Sequence, residues 1–272
     1  MGPDTLFNVP LLAETCTELQ ILGWFPKKVA YTSFPLQPFT FPLSYFAEKM
    51  IQFVESATER TTAATDLILA VEFLLFAIFF IKSASDNKRA AAWSIPFLLL
   101  AGAFLIGAIA HGFQMPEKTN MQLWILLAGC SAFGLAHLVS ASVGEWKPAW
   151  YKKSVIGMSL AAITFVGTTV KFSSFIVYVG FILITMALVS WLNAICFEKS
   201  GNKQHLLIIF GAVITATASL VQLIKSIHFT VIWEFDYNGA FHLIQMLAGI
   251  FLGLGITGLM KSACSGIHTT ER

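Results

Sequence analysis

The sequence predicts an all-α, polytopic membrane protein with seven transmembrane helices, and its composition is the first reason. Of its 272 residues, 56% are hydrophobic and only 12% are charged, which gives a mean hydropathy of +0.73. Soluble domains carry about a quarter charged residues, so this chain cannot cover a surface that faces water on all sides. Seven apolar runs also approach the roughly twenty residues needed to cross the hydrocarbon core. A soluble enzyme, a disordered chain and a nucleic-acid-binding module are thereby excluded.

The seven apolar runs are predicted to be helices and not strands. Charged residues, proline or asparagine bound each run, and none shows the strict alternation of a half-buried strand. A helix also satisfies its own backbone hydrogen bonds inside a bilayer, where water is absent. The predicted spans are residues 63–81, 92–113, 121–143, 151–170, 174–197, 206–228 and 239–260.

The distribution of lysine and arginine predicts the orientation. Basic residues gather in the loops after the first, third and fifth spans and in the tail, whereas the intervening loops hold only Lys118 and Lys171. Because basic loops are retained on the inner side of a membrane, the N-terminus is expected outside and the C-terminus inside. The compartment of this multi-pass protein stays open.

Residues 1–62 are predicted to form an extramembrane N-terminal arm, followed by the bundle at 63–262 and a short inner tail at 263–272. The arm holds six of the nine prolines and no spanning run. Near 44–59, apolar side chains such as Phe46 and Met50 share one face of an amphipathic helix. This arm is expected to dock on the membrane or on another membrane-protein subunit.

Ionisable and strongly polar side chains inside a membrane are costly, so each one is a candidate functional residue. The predicted topology brings eight of them to the outer half of the bundle. They are Asp66 and Glu72 on the first span, His111 at the end of the second, Lys225 and His228 at the end of the sixth, and Asp236, Asn238 and His242 at the start of the seventh. His137 is predicted in the inner half, where a hydrogen bond to a neighbouring helix is its expected role.

His111 and His242 are the predicted core of a site. Asn238 and His242 lie four residues apart and therefore share a helix face. Two facing helices that each present a histidine suit a metal ion or a proton relay. Zinc needs a third good ligand, which one of the nearby carboxylates or His228 would have to supply. The alternative is that both imidazoles only hydrogen-bond neighbouring helices.

The seventh span also carries a pair of glycines, Gly249 and Gly253, at four-residue spacing. Small residues at this spacing allow two helix backbones to approach closely. We therefore expect close helix packing within the bundle here, with a dimer face as the alternative.

At these residues the chain resembles the CREST membrane hydrolases, a superfamily that includes the alkaline ceramidases and the progestin and adipoQ receptors. The resemblance rests on a histidine that ends the second span and on a polar residue four positions before a histidine at the start of the seventh. Segments 65–67, 110–113 and 235–245 are also similar to a branch of small seven-helix proteins. Over about residues 63–260, the resemblance implies a seven-helix fold with an outside N-terminus. In that superfamily three histidines hold a zinc ion that activates water against a lipid amide.

Carried over to this chain, the superfamily pattern is incomplete. His111 takes the helix-two histidine and His242 the second histidine of helix seven. Gly107 stands where the superfamily has serine, Asn238 stands where it has its first histidine, and its aspartate has no clear equivalent. The resemblance therefore implies a divergent branch with a substituted zinc motif, in which His111 and His242 are the remaining metal ligands.

Three functions are compatible with these residues. The favoured one is a non-catalytic membrane protein that binds lipid or serves as an accessory subunit of a larger membrane assembly. The first alternative is a metal-dependent lipid amide hydrolase with a substituted ligand set, and the second is a proton- or ion-coupled carrier that uses Glu72, Lys225 and the histidines. No catalytic residue is assigned. Bound lipids are expected, no cofactor is expected unless the zinc alternative holds, and the expected partners are membrane lipids and other membrane-protein subunits, not nucleic acid.

Overall fold

The structure, a computed structural model, describes residues 52–83, 88–172 and 174–265. Most of the N-terminal arm, with the predicted amphipathic helix up to residue 51, and the tail beyond residue 265 lie outside the described residues. Within the described part, seven helices are long and apolar enough to cross a membrane. The predicted all-α polytopic fold is confirmed, and the chain has the architecture of a multi-pass membrane protein.

The helices are joined by short connections, and one of these connections contains a β-hairpin. A single 3₁₀ turn, Pro148–Trp150, precedes the fourth helix. The elements are α1 (Ala57–Ser83), α2 (Lys88–Gly112), α3 (Glu117–Trp146), α4 (Tyr151–Phe172), α5 (Phe175–Ser200), α6 (Gln204–Val221), β1 (His228–Thr230), β2 (Glu234–Asp236) and α7 (Tyr237–Ser265).

Six of the helices form a closed ring. Short connections make consecutive helices antiparallel, and α1 packs along α2, α2 along α3, α5 along α6, and α6 along α7. The ring closes because α7 packs against α1 and α3 packs directly against α5, while α4 lies outside it against those two helices. We call the end where α1, α3, α5 and α7 begin the polar end, and the end where they finish the basic end.

The packing between α1, α6 and α7 depends on glycine. An added Cβ at Gly249 or Gly253 of α7 would collide with the α1 side chains that lie against them, Phe73 and Phe76 among them. The interpretation of these two glycines as an internal packing motif is therefore confirmed. On the other side of α7, a Cβ at Gly211 of α6 would lie only 2.9 Å from two backbone atoms of α7. The backbones of α6 and α7 are thus in close approach.

The start of α1 differs from the prediction. The amphipathic helix expected over 44–59 does not include residues 52–56, which are not helical, and α1 begins at Ala57, before the boundary expected at residue 63. Phe53 instead lies opposite Phe113 after α2, and their rings stack with centroids 5.1 Å apart. The flanking residues make the backbone hydrogen bonds, from Gln114 N–H to Gln52 at 2.9 Å and from Val54 N–H to Gly112 at 3.1 Å. Ser56 then caps α1, because its hydroxyl accepts the N–H of the third helical residue at 3.4 Å.

The end of α6 also differs from the prediction. The sixth span was expected to continue to His228, but α6 ends at Val221 and His228 lies in β1. The reason is the hairpin, in which β1 pairs antiparallel with β2 and the ring of Phe229 stacks on Phe235 at 5.1 Å. Lys225 consequently lies in the connection between α6 and β1 and not on a helix.

We predict that Gly211→Ala destabilises the bundle by about 1–3 kcal/mol. The added methyl group would press on the backbone of α7, which cannot rotate aside as a side chain can. Gly180→Ala is the matched control, since the described residues leave open space around that position and alanine favours a helix over glycine by up to about 1 kcal/mol. The measurement is unfolding in mild detergent followed by circular dichroism, and equal stability of the two variants would contradict the close approach.

Candidate functional site

A narrow cavity of about 80 Å³ lies inside the six-helix ring. All six ring helices contribute to its lining, and the residues described for α4 contribute nothing to it. Asn238 and Leu252 both line it from α7, and a rise of 1.5 Å per residue places them about 21 Å apart along the helix axis. The cavity therefore runs from the polar end to about the middle of α7.

The lining changes from polar to apolar along this length. The polar and aromatic-polar residues are Asp66, His111, Trp124, Ser131, Tyr178, Thr215, Gln222, Asn238, His242 and Gln245. The apolar residues are Phe73, Leu100, Ala103, Phe104, Leu127, Leu135, Leu138, Ile182, Met186, Phe241 and Leu252. Most polar groups lie within the first turns at the polar end, whereas the residues farthest from that end, Phe73, Leu138 and Leu252, are apolar.

Asp66 and His242 form the buried centre of the polar part. His242 Nε2 lies 3.3 Å from Asp66 Oδ1, and His242 Nδ1 lies 2.9 Å from Thr65 Oγ1. The Thr65 hydroxyl is also within 3.0 Å of two carbonyl oxygens of its own helix, to which it donates. The Thr65 hydroxyl and the Asp66 carboxyl group thus contact the two ring nitrogens of His242 from neighbouring positions of α1. Thr65 orients the ring and does not itself line the cavity.

The absence of a side chain at Gly107 leaves space for the carboxyl group of Asp66. A Cβ at position 107 would lie 2.6 Å from Asp66 Oδ2, well inside van der Waals contact. The carboxyl group of α1 therefore rests against the bare backbone of α2 while it contacts His242 of α7. Glycine at position 107 therefore has a steric reason in this chain.

His111 occupies the mouth of the cavity and is held by Glu59. His111 Nδ1 lies 2.5 Å from Glu59 Oε2, and the Trp124 ring meets the imidazole edge-on with centroids 5.0 Å apart. Glu59 is in the first turn of α1 and His111 in the last turn of α2. This contact therefore joins the start of α1 to the end of α2 at the polar end. It involves Nδ1 of His111 and not Nε2.

The start of α7 is positioned by Asp236 and Asn238. Asp236 Oδ1 accepts the backbone N–H groups of Asn238 and Gly239 at 2.9 and 3.0 Å, which caps the helix. The side-chain oxygen of Asn238 accepts a hydrogen bond of 2.9 Å from Gln222. Asn238 thus lines the cavity and ties α7 to the end of α6, whereas Asp236 is a capping residue beside the cavity.

Two glutamines present unused acceptors to the cavity. Gln222 and Gln245 each donate through Nε2, to Asn238 at 2.9 Å and to Thr215 at 3.3 Å. The Oε1 atoms of both glutamines are buried and have no hydrogen-bond partner among the described residues. A buried acceptor left without a donor costs about 1–3 kcal/mol, so this pair suits a bound molecule that donates hydrogen bonds.

A second polar network closes the basic end of the ring. Asn193 of α5 donates to Ser142 of α3 at 3.2 Å and lies 2.8 Å from His205 of α6. Nearby, Glu145 of α3 accepts from Trp93 at 3.2 Å and pairs with Arg89 at 3.6 Å. These contacts tie four helices together, and none of these six residues lines the cavity.

Four of the eight predicted residues meet in the cavity, and four do not. Asp66, His111, Asn238 and His242 all line it. Glu72 faces Gly249 at the α1–α7 contact instead, and its Oε1 has no hydrogen-bond partner in the described part of the chain. The remaining three, Lys225, His228 and Asp236, lie in or beside the hairpin connection, where desolvation lowers the pKa of the Lys225 ammonium below its usual range.

Sequence reasoning missed four residues that complete the site: Glu59, Thr65, Gln222 and Gln245. Glu59 was expected in the arm, outside the bundle. The sequence could have predicted Gln245, because it lies three residues after His242 and therefore on the same helix face. The indication for Thr65 was weaker, because it rested only on the position of Thr65 next to Asp66 in the sequence.

The donor set fits zinc poorly in this arrangement. Within residues 52–83, 88–172 and 174–265, no group of three or more His, Cys, Asp or Glu side chains is placed to hold a metal ion. Both nitrogens of His242 are engaged, by Thr65 and Asp66, and Nδ1 of His111 is engaged by Glu59. A metal would have to break at least one of these contacts.

A comparison with protein-family models assigns residues 61–261 to a family described as Family of unknown function (DUF6962). The chain belongs to this family. The match begins in the first turns of α1 and ends near the end of α7, so the family unit is the seven-helix bundle with its cavity and not the N-terminal arm. No curated protein and no solved structure matches the chain. The family carries no described activity, and the resemblance to the CREST hydrolases stays a prediction.

We predict that Gly107→Ser destabilises the protein by about 1–3 kcal/mol, because the new side chain would occupy the space of the Asp66 carboxyl group. The double variant Gly107→Ser with Asp66→Ala should recover part of this loss. A coupling energy of about 0.5–3 kcal/mol is typical of residues in contact. Unfolding of the four proteins of this cycle in detergent measures the coupling, with Gly102→Ser as the control at an open position of α2. Strictly additive effects at positions 66 and 107 would refute the contact.

Proposed function

We propose that this protein is a non-catalytic membrane protein that binds a single-chain amphiphile in its central cavity. The observation that carries the proposal is the division of the cavity lining into a polar end and an apolar length. Ligand pockets that are mostly apolar, with a few convergent polar groups, bind amphiphilic molecules through both parts. The polar groups fix the head of the ligand, and the apolar length takes its chain.

The head of the ligand is expected to donate hydrogen bonds. The acceptors that face it are the Asp66 carboxyl group and the Oε1 atoms of Gln222 and Gln245, two of which lack partners among the described residues. A hydroxyl, amine or amide N–H group satisfies such acceptors, whereas a phosphate or carboxylate would add further acceptors to a set that already holds the Asp66 carboxyl group. The proposed ligand is therefore a neutral or cationic amphiphile.

The tail of the ligand is expected to be a single acyl or alkyl chain. The cavity is narrow, and about 21 Å separate Asn238 from Leu252 along α7. One leaflet of a bilayer is about 15 Å of hydrocarbon, so the cavity has the length for a head group and one chain of membrane-lipid size. The volume of about 80 Å³ is smaller than that of a lipid chain, so binding requires the lining side chains to move apart, and a slender chain requires less of this movement than a fused-ring molecule.

We predict that Ala103→Phe abolishes retention of this lipid without unfolding the protein. Ala103 lines the cavity from α2, so the added ring would fill the space of the chain. Leu105→Phe is the matched control on the same helix, since Leu105 is 47% exposed on the outer surface of the bundle. Lipids retained after detergent purification are extracted and quantified by mass spectrometry. Retention of the same single-chain lipid by Ala103→Phe and by the wild type would contradict the proposal.

A role as an accessory subunit is compatible with lipid binding. It is supported by the extended residues that precede α1, where Phe53 is 66% exposed although its ring also stacks on Phe113. The test is chromatography of the protein extracted from its own membrane in mild detergent. Elution in a larger complex is expected, and a sole monomeric species would count against a subunit role.

The metal-dependent lipid hydrolase is retained as a second candidate because Asp66, His111 and His242 line the same cavity. The existing contacts of both imidazoles oppose it. We predict substoichiometric zinc in protein purified without chelators, and the same content in His111→Ala and His242→Ala. Elemental analysis by mass spectrometry decides this. One zinc per chain in the wild type, lost in both variants, would replace the non-catalytic proposal with the hydrolase.

A further inference from the structure

We propose that the basic end of the bundle carries a binding site for the head group of an anionic phospholipid, formed where α3 and α5 end and α4 begins. The site is a lysine–tryptophan cluster made of Lys147, Lys153, Lys199, Trp146, Trp150 and Trp191. It is separate from the central cavity, whose lining contains none of these residues. This proposal is therefore independent of the proposal that a lipid binds in the central cavity.

The ammonium groups of the cluster are gathered over tryptophan rings. Lys147 Nζ lies 4.3 Å from the ring centroid of Trp146, and Lys199 Nζ lies 5.7 Å from the same centroid. The two ammonium groups are therefore within about 10 Å of each other, which follows from adding these two distances. Cation–π attraction stabilises each ammonium group on the ring, but it leaves their positive charge unneutralised.

Trp150 extends the cluster toward the start of α4. Lys147 Nζ lies 5.6 Å from the Trp150 centroid, and Lys153 Nζ lies 5.9 Å from it. In the chain as described, no carboxylate lies within 4.0 Å of any of the three ammonium groups. Three positive charges without a paired carboxylate repel one another, so a phosphate between them would lower the electrostatic energy of the native state.

The tryptophans place the cluster at the height of lipid head groups. Trp150 lies directly before α4 and Trp191 lies within the last three turns of α5, and their side chains are 55% and 57% exposed. Amphipathic indole rings near the ends of apolar helices mark a membrane–water interface. Trp146 and Trp191 lie 6.4 Å apart, and the Nε1 of Trp146 has no hydrogen-bond partner among the described residues.

Charge complementarity selects an anionic lipid over a zwitterionic one. Among the described residues, the three lysines of the cluster have no carboxylate within 4.0 Å; of the two described acids at this end, Glu145 is engaged by Arg89 and Trp93, and the other is Glu198. Phosphatidylcholine would bring its own quaternary ammonium group into this positive field. A phosphatidylglycerol-type head group, with one net negative charge and hydroxyl donors, avoids this repulsion.

The test compares lipid selectivity in two triple variants of equal charge. Lys147→Gln/Lys153→Gln/Lys199→Gln removes the cluster, and Lys82→Gln/Lys203→Gln/Lys261→Gln removes three lysines of the same end on α1, α7 and the start of α6. Each protein is reconstituted in vesicles of equal parts phosphatidylglycerol and phosphatidylcholine and then extracted in mild detergent, and the retained phospholipids are quantified. Circular dichroism and gel filtration check the fold.

We expect the wild type and the control triple variant to retain phosphatidylglycerol in preference to phosphatidylcholine. In the cluster variant, the ratio of retained phosphatidylglycerol to phosphatidylcholine should fall at least five-fold. The triple variant with arginine at positions 147, 153 and 199 should keep the preference because it keeps the charge. Washing with inorganic phosphate should not displace the lipid, whereas displacement would show a general anion site and would overturn the assignment to a lipid head group. An equal loss in both glutamine variants, or no loss in the cluster variant, would overturn the proposal.

Discussion

The close approach of α7 to α1 and α6 brings the Asp66 and His242 side chains together at the centre of the cavity. Glycines on α7 and α6 bring the three backbones together, and the α1–α7 contact carries Asp66 to His242. Inside hydrocarbon a carboxyl group without a partner is costly, so this contact has to form as the helices pack. The bare backbone at Gly107 then allows α2 to close over the same carboxyl group. The position of the Asp66–His242 pair is consequently a result of how α1, α2 and α7 pack.

The fold could be predicted from the sequence because hydrocarbon imposes a simple constraint on a chain. Every span must be helical, about twenty residues long and apolar, and each of the seven predicted spans corresponds to a helix of the structure. The constraint weakens at the polar end. There the predicted sixth span included residues 222–228, but α6 ends at Val221 and the chain continues into the backbone pairing between β1 and β2. The start of α1 was misjudged for a similar reason, because Phe53 finds its partner on a different part of the chain.

The candidate site could be predicted only in part. Topology placed His111 and His242 at the same end, and both line the cavity. The partners of the two histidines depend on how each helix is rotated about its own axis. Residue spacing within one helix does not determine the rotation of that helix relative to its neighbour. Asp66 was weighed as a third metal ligand, yet it contacts His242 directly, and Glu59, expected in the arm, is the partner of His111. Glu72, the most conspicuous charge within a span, faces the α1–α7 contact and not the cavity.

The position of α4 outside the ring has an electrostatic consequence for the whole molecule. Because α4 carries the chain back across the bundle, α3 and α5 run in the same direction, and four of the six ring helices start at one end while only two finish there. Each helix start carries about half a positive charge from its aligned peptide dipoles and each finish about half a negative charge. The ring is therefore an oriented macrodipole, positive around Glu59 and Asp236. Its negative pole lies beside Lys82, Lys147 and Lys199, which occupy or follow the last turns of three of those four helices.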